Sequence, residues 1–187
     1  MPDAPSKDLK QLLATPEPPE VGPQARASSP PLAALNASLD EAFRETQLPP
    51  VRQQLVRSLV LLWHDHLDPS HTIAQGIENP DGSLVHAIMH RREPDYWNSK
   101  YWWRRVGKHP CFPEIARRVA EFLQMKGAQE LATKLVPRGE WDAIAFVDAC
   151  EAAADLPASD KRVQLLREIQ RMESEVALEH FLKPEAH

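Results

Sequence analysis

The chain has 187 residues, of which 42% are hydrophobic and 26% are charged, and its formal net charge at pH 7 is −5. Two cysteines, Cys111 and Cys150, are too few for a disulfide framework or a thiolate-rich metal site. No apolar run approaches the ~18 residues of a membrane-spanning helix, and the acidic balance gives no general attraction to nucleic acid. We therefore expect a protein of the reduced cytoplasm that neither enters a membrane nor binds nucleic acid.

The first 31 residues contain eight prolines. Proline removes a backbone donor and fixes φ, so neither a helix nor a sheet can propagate through such a segment. Apart from a short amphipathic stretch at residues 8–13, we predict that residues 1–31 form a disordered tail. The tail has no basic stretch followed by an apolar run, which argues against a secretory signal. The globular domain is predicted to span residues 32–187.

Apolar residues in that domain recur at helical spacing. Leu32, Leu35 and Leu39 form one such stripe, and Pro49-Pro50 separates it from a strongly apolar helix that begins near Val51. Residues 78–83 (ENPDGS) are typical of a turn, and residues 83–92 favour a helix, since the chain offers no partner strand. The sequence predicts a further helix over 96–106, capped by Asp95 and ended by Gly107, and a long final helix capped by Ser159. The predicted fold is all-α, with about seven helices.

One segment, HAIMHRREPDYWNSKYWWRRVG at residues 86–107, stands apart in composition. Six of the eight histidines, four of the five tryptophans and both tyrosines lie within residues 63–109. Residues 90–109 also carry a local net charge of +4 in an acidic protein. Histidine and arginine are costly to bury unless they are paired. Residues 64–109 are therefore predicted either to line a pocket or to form a structural polar network.

The leading hypothesis is a pocket for a small anionic ligand that carries a phosphate or a carboxylate. Arginine guanidinium groups bind such groups through paired hydrogen bonds and also stack on aromatic rings. The predicted cationic contacts are Arg91, Arg92, Lys100, Arg104 and Arg105. The predicted walls are Trp97, Tyr101 and Trp102, and His86 and His90 are the candidate catalytic groups because imidazole titrates near neutral pH. The same residues suit an enzyme and a passive binder.

A metal site is a second interpretation, although we do not favour a divalent metal cofactor on the sequence alone. His86 and His90 stand at i, i+4, but Ala87 replaces the glutamate of the H-E-x-x-H motif. The third ligand could be His71, Asp68 or Glu93, and His64 is a further candidate ligand. The stretch LLWHDHLD also resembles the His-Asp dyad of all-α HD-domain phosphohydrolases, yet no histidine precedes His64 to supply the first ligand that those enzymes require.

Two further interpretations stay open. A non-enzymatic interaction module would place the aromatic and basic side chains on a flat surface against an acidic partner, whereas a pocket would hold them in a concave arrangement. A structural network would pair Arg91 and Arg92 with the carboxylates of Glu93, Asp95, Asp65 and Asp68. Basic residues interleaved with aromatics also suit single-stranded nucleic acid, but the basic region is small and no binding motif accompanies it.

Residues 63–112 also resemble a group of bacterial and fungal hypothetical proteins. The shared signature has the form HAIMHRREPDYxNSKYWxRRVGxHPxF, and the later EWDAIAFVDAC is similar as well. The resemblance covers about half of the chain. That group has no established activity, so the resemblance implies no catalytic residue. It implies that residues 64–109 act as one unit.

Overall fold

The computed structural model describes the backbone of residues 4–183 and the side chains of residues 8–183. Over this range the prediction of an all-α fold is confirmed, with ten α-helices instead of about seven, one 3-10 turn and no strand. The helices are α1 Ala4–Gln11, α2 Leu32–Arg44, α3 Pro50–Trp63, α4 Leu67–Ala74, α5 Pro80–Arg92, α6 Tyr96–Val106, α7 Phe112–Met125, α8 Gln129–Leu135, α9 Ala143–Glu151 and α10 Lys161–Phe181. Among them, none combines the length and the apolar character that a membrane span requires.

The core is built around α5. Every residue of this helix from Gly82 to Arg92 is buried, because α3, α4, α6 and α10 surround it. α6 follows after a three-residue turn and runs antiparallel to α5: the Ser99 hydroxyl donates to the Ala87 carbonyl at 2.7 Å. A helix enclosed in this way places its polar side chains in the interior, where each of them needs a partner.

The start of α5 corrects the prediction of a turn at residues 78–83. Asn79 is the N-cap, since its side chain accepts a hydrogen bond from the Gly82 amide at 2.8 Å, and Pro80 occupies the first turn. Residues that are typical of turns are therefore the first turn of a helix. Gly82 is required there, because a Cβ atom would lie 2.1 Å from the carbonyl oxygen of Ile77.

The predicted boundaries of α6 are confirmed. The predicted N-cap of the last helix is displaced by one residue, from Ser159 to Asp160. Asp95 accepts a hydrogen bond from the Asn98 amide, and Gly107 ends α6 at a φ of 62°, where glycine is favoured. At α10 the cap is Asp160, whose carboxylate accepts from the Arg162 amide, and Ser159 precedes it.

The prediction of a disordered tail over residues 1–31 is not confirmed. Residues 4–11 form α1, and residues 12–31, which we call the strap, cross the core through turns and bends without regular secondary structure. Leu9, Leu13 and Val21 are buried. The physical reason is that buried donors satisfy the carbonyls of the strap: Arg92 donates to Glu20 at 3.0 Å. Residues 1–3, which the prediction also included, lie outside the described residues.

Candidate metal centre

Three histidines converge between α4, α5 and α6. His86 and His90 lie one turn apart on α5, and α4 packs against α5 so that His71 meets them. The ring centres are 4.7 Å apart for His71 and His86, 5.1 Å for His71 and His90, and 4.7 Å for His86 and His90. One nitrogen from each ring lies within 4.8 Å of the other two. We call these three residues the histidine cluster.

His86 is the most enclosed member of the cluster. It is 3% exposed, and neither of its ring nitrogens has a hydrogen-bond partner among the described residues. Its ring stacks on Trp102 with 4.0 Å between the ring centres. Burial, reinforced by the charges of His90 and His71, lowers the pKa of His86 to about 3. At neutral pH His86 is therefore an uncharged imidazole with a free lone pair.

His90 is held in one orientation by two neighbours. Its Nδ1 atom lies 3.0 Å from the carboxylate of Glu93, and its Nε2 atom lies 3.1 Å from the amide nitrogen of Asn98. Burial lowers the pKa of His90 despite the opposing effect of Glu93. The carboxylate fixes the proton on Nδ1, so the Nε2 lone pair accepts from the side-chain amide of Asn98, and a metal ion bound at Nε2 would replace that hydrogen bond. Metal-binding histidines characteristically have such a carboxylate behind them.

The rim of the cluster is formed by α6. Asn98, Trp102 and Arg105 lie at helical spacing on one face of α6. Asn98 contacts His90, Trp102 stacks on His86, and Arg105 is the last residue of this face. Arg105 lies 5.2 Å from the ring centre of Trp102. His71 is only half-buried, so the cluster reaches solvent on the α4 side.

The predicted anion contacts are not all gathered at one place. Arg91 is fully buried and pairs with Glu173, while its guanidinium lies 4.3 Å from the ring centre of Phe146. Arg92 is buried against Asp65 at 2.8 Å, and Lys100 pairs with Asp148 and Glu151. These three cations have carboxylate partners within the fold. Of the pairs expected for a network within this segment, Arg92 with Asp65 is present, whereas Arg91 and Lys100 pair with carboxylates of α10 and α9.

Arg104 and Arg105, in contrast, are exposed and form no ion pair with any described residue. The predicted wall residues also differ in their exposure to solvent. Trp102 is half-buried against His86, whereas Trp97 is 75% exposed and Tyr101 is 41% exposed. The cluster, Trp102 and Arg105 are thus brought together, with Trp97, Tyr101 and Arg104 on the adjoining surface.

His64, the remaining predicted metal ligand, lies apart from the cluster. Its Nε2 atom donates to the Leu12 carbonyl at 2.7 Å, and burial lowers its pKa. Its neighbour Asp65 accepts hydrogen bonds from Arg26, Arg92 and Ser29. Burial opposes ionisation of Asp65, but these contacts outweigh it and lower the pKa of the carboxyl group. The His64-Asp65 pair therefore fastens the strap, and its polar atoms have protein partners.

A second group of ionisable residues, absent from the sequence prediction, joins the start of α5 to α10. Asp81 lies 2.9 Å from Nε2 of His109, 3.0 Å from Nε2 of His180 and 3.1 Å from Arg52. The Cys111 amide donates to Nδ1 of His109, so the proton of that ring lies on Nε2, facing Asp81. Donors thus surround the carboxylate, and His109 has no lone pair left for a metal. Spacing could not reveal this group, since 99 positions separate Asp81 from His180.

Cavities of several hundred Å³ lie away from the histidine cluster. One of about 630 Å³ opens between the strap and the segment joining α9 to α10, where Arg26, Tyr96 and Leu156 contribute to its wall. No member of the histidine cluster lines it. The cluster is therefore a closely packed group of side chains at the surface of α4, and a ligand would reach it along the exposed side of His71.

No protein-family model, no curated protein and no solved structure matches this chain. The candidate centre therefore stands on its own geometry and chemistry.

Proposed function

We propose that the protein binds a divalent transition metal ion, with Zn²⁺ as the simplest case, through His71, His86 and His90. The observation that carries the proposal is His86. A buried imidazole with both nitrogens unpartnered is costly, because burial removes its hydrogen bonds to water and nothing replaces them. A metal ion would supply the missing partner.

The donor set suits such an ion. Imidazole nitrogen is a preferred ligand of Zn²⁺, Cu²⁺ and Ni²⁺, and it binds in its neutral form. The lowered pKa values keep His86 and His90 neutral at physiological pH. A tetrahedral ion about 2.0–2.1 Å from each nitrogen separates the nitrogens by about 3.4 Å. The nitrogens of the cluster already lie within 4.8 Å of one another, so small side-chain rotations would complete the site.

Three protein ligands leave one position of a tetrahedral ion open, as in catalytic zinc sites. We propose that a small anion or a water molecule takes this position from the side of half-exposed His71. The proposed anion site thereby depends on the metal and on exposed Arg105, and the paired cations Arg91, Arg92 and Lys100 support the fold. A bound water would ionise near neutral pH, which is the chemistry that metal-dependent hydrolases use.

A protein-interaction module is a second candidate, favoured by the exposure of two large aromatic side chains on α6. Trp97 and Tyr101 would then contact a partner surface. This function requires no metal, so a measurement of the metal content of the purified protein distinguishes the two candidate functions.

The test is metal binding by protein purified without a histidine tag. We expect one equivalent of Zn²⁺ by elemental analysis, and tetrahedral visible absorption after exchange into Co²⁺. His71→Ala should weaken Zn²⁺ binding on the order of 100-fold or more, since removal of supporting residues alone costs about 10–100-fold. His71 is half-buried, so the variant should fold.

The matched control is His66→Ala, at the residue that caps α4 but contacts Pro30 and not the cluster. It should bind Zn²⁺ as the wild type does. Folded wild-type protein that takes up neither Zn²⁺ nor Co²⁺ stoichiometrically would overturn the proposal, and so would equal losses in both variants.

A further inference from the structure

We propose that the exposed face of α6 beside the histidine cluster is a binding platform for a planar ring that carries a phosphate or a carboxylate. This inference rests on the proposed metal centre, because the metal would bind an oxygen of the acidic group while α6 holds the ring. It specifies the kind of anion that the centre takes.

The face is defined by Trp97, Tyr101 and Arg105, which recur every fourth residue along α6. Trp97 is 75% exposed and Tyr101 is 41% exposed. The two rings are nearly parallel, with 11° between their planes and 6.2 Å between their centres. An aromatic pair aligned in this way at the surface offers π faces on which a further ring can stack.

The core does not need these two rings. α6 is anchored on its other side by Trp103 and Val106, each 3% exposed, and by the buried hydroxyl of Ser99. Trp97 and Tyr101 point away from those contacts, and their exposure leaves apolar surface in water that burial would remove. A bound ring would cover that surface without any rearrangement of the fold.

Positive charge accompanies the rings. Arg105 lies 5.9 Å from the ring centre of Tyr101 and 5.2 Å from that of Trp102. Arg104 and Lys108 are exposed nearby, and none of the three forms an ion pair with a described residue. Lys100, on the same helix, is paired with Asp148 and Glu151. The cations beside the rings are therefore available to an anionic group, which arginine can bind through two hydrogen bonds.

The platform is continuous with the cluster. Trp102 stacks on His86 at 4.0 Å, and the amide of Asn98 lies 3.1 Å from Nε2 of His90. A ligand with its ring on Trp97 and Tyr101 would place its acidic group near Arg105, whose guanidinium lies 5.2 Å from the ring centre of Trp102, the residue that stacks on His86. A ring without charge would lose the ionic contacts, and an anion without a ring would lose the stacking.

The experiment is isothermal titration calorimetry of the Zn²⁺-loaded protein with four probes: adenosine monophosphate, 4-hydroxybenzoate, inorganic phosphate and adenosine. We expect at least one ring-bearing anion to bind about tenfold or more tightly than both phosphate and adenosine, since stacking of one base contributes about 1–3 kcal/mol. The comparison of adenosine monophosphate with 4-hydroxybenzoate tells whether the acid is a phosphate or a carboxylate.

Two variants locate the binding. Tyr101→Ala and Arg105→Ala should each weaken the favoured probe about tenfold without changing Zn²⁺ content. Met125→Ala and Arg44→Ala are the matched controls, since both side chains are exposed on other helices, and they should bind as the wild type does. Melting temperatures of all four variants establish that they are folded.

The platform and the metal centre can fail separately. Full Zn²⁺ uptake with neither ring-bearing anion bound more tightly than phosphate, or with no effect of Tyr101→Ala on the favoured probe, would overturn the platform and leave the metal centre intact. Absence of Zn²⁺ uptake would overturn the centre. In that case the same titrations on the metal-free protein decide the platform, which fails if no ring-bearing anion binds.

Discussion

His86 shows what a single buried side chain demands of its surroundings. An imidazole that is 3% exposed, with both nitrogens unpartnered, destabilises the metal-free fold, and protonation would add an uncompensated charge. The cost would be recovered when a ligand binds the lone pair. Functional centres are commonly unfavourable for the stability of the fold when their ligand is not bound.

This residue should make the metal-free protein sensitive to mild acid. The pKa of His86 is about 3 in the folded state and near 6.5 when unfolded, so below pH 6.5 only the unfolded chain takes up this proton. The free energy of unfolding should therefore fall as the pH decreases, by about 1.4 kcal/mol per pH unit from this group. Between pH 6.5 and 5 the expected loss is about 2 kcal/mol, measured by urea unfolding in the presence of a chelator.

His86→Gln cannot titrate and should show a shallower pH dependence, with about one proton less taken up on unfolding. Met125→Gln, at an exposed side chain that does not titrate, serves as the control and should keep the wild-type slope. An identical slope in His86→Gln and the wild type would show that His86 is not a buried neutral imidazole.

At the scale of elements, α5 determines how the helices are joined. Because it is enclosed on all sides, its two interior arginines each bind a different part of the chain: Arg91 binds Glu173 on α10, and Arg92 binds Asp65 and the strap. Each guanidinium is desolvated and therefore depends on its carboxylate. These contacts place α5 in a fixed position, which in turn fixes His86 and His90.

Breaking the pair between α5 and α10 should be strongly destabilising. Glu173→Gln leaves the buried charge of Arg91 without its counter-ion, and we expect a loss of about 3–5 kcal/mol in the free energy of unfolding. The double variant Arg91→Met/Glu173→Leu should regain most of it, since no buried charge remains. Glu121→Gln, which breaks a solvent-exposed pair with Arg117, should leave the free energy of unfolding nearly unchanged. Equal effects of Glu173→Gln and Glu121→Gln in urea unfolding would contradict this account.

The helices were largely predictable because apolar residues at helical spacing report a buried face directly. The start of α5 was missed because Asn79, Pro80 and Gly82 suit a turn and a capped helix equally well, and only packing against Ile77 selects the helix. In the same way, the spacing of His86 and His90 indicated a shared helix face. The approach of His71 depends on how α4 packs against α5, which no local pattern encodes.

Arg91 and Arg92 illustrate the corresponding limit for charged residues. Their sequence neighbours are exposed polar residues on one side and apolar residues on the other, which does not distinguish a ligand contact from a buried ion pair. The deciding partner of Arg91, Glu173, lies 82 positions away. Composition showed that residues 64–109 concentrate polar chemistry, but only the fold separates the paired cations from the unpaired ones.

For the whole molecule, the strap connects parts of the fold that are distant along the chain. Its carbonyl groups accept hydrogen bonds from His64 just after α3 and from residues of α5 and α10, and its Arg26 is paired with Asp65. The composition of residues 1–31 suggested disorder because each proline lacks an amide donor. Proline nevertheless keeps its carbonyl acceptor, and buried arginines require such acceptors.

Deletion of residues 1–31 therefore distinguishes a strap from a dispensable tail. We expect the free energy of unfolding to fall by more than about 3 kcal/mol, because burial of Leu9 and Leu13 each contributes about 1.5–3 kcal/mol and Arg92 loses two carbonyl partners. The measurement is urea unfolding of the truncated and full chains. An unchanged unfolding midpoint would support the disordered tail that composition indicates.

The contacts between the strap and α10 also have a consequence for the order in which the protein folds. Arg167 donates to the carbonyl of Pro18 across 149 positions, and Gln170 donates to Pro19 across 151. On the ribosome, the strap is synthesised long before these donors exist, and these hydrogen bonds cannot form until α10 has left the exit tunnel. The contacts between the strap and α10 therefore form in a late step across a long stretch of the chain, and such long-range steps are characteristically slow.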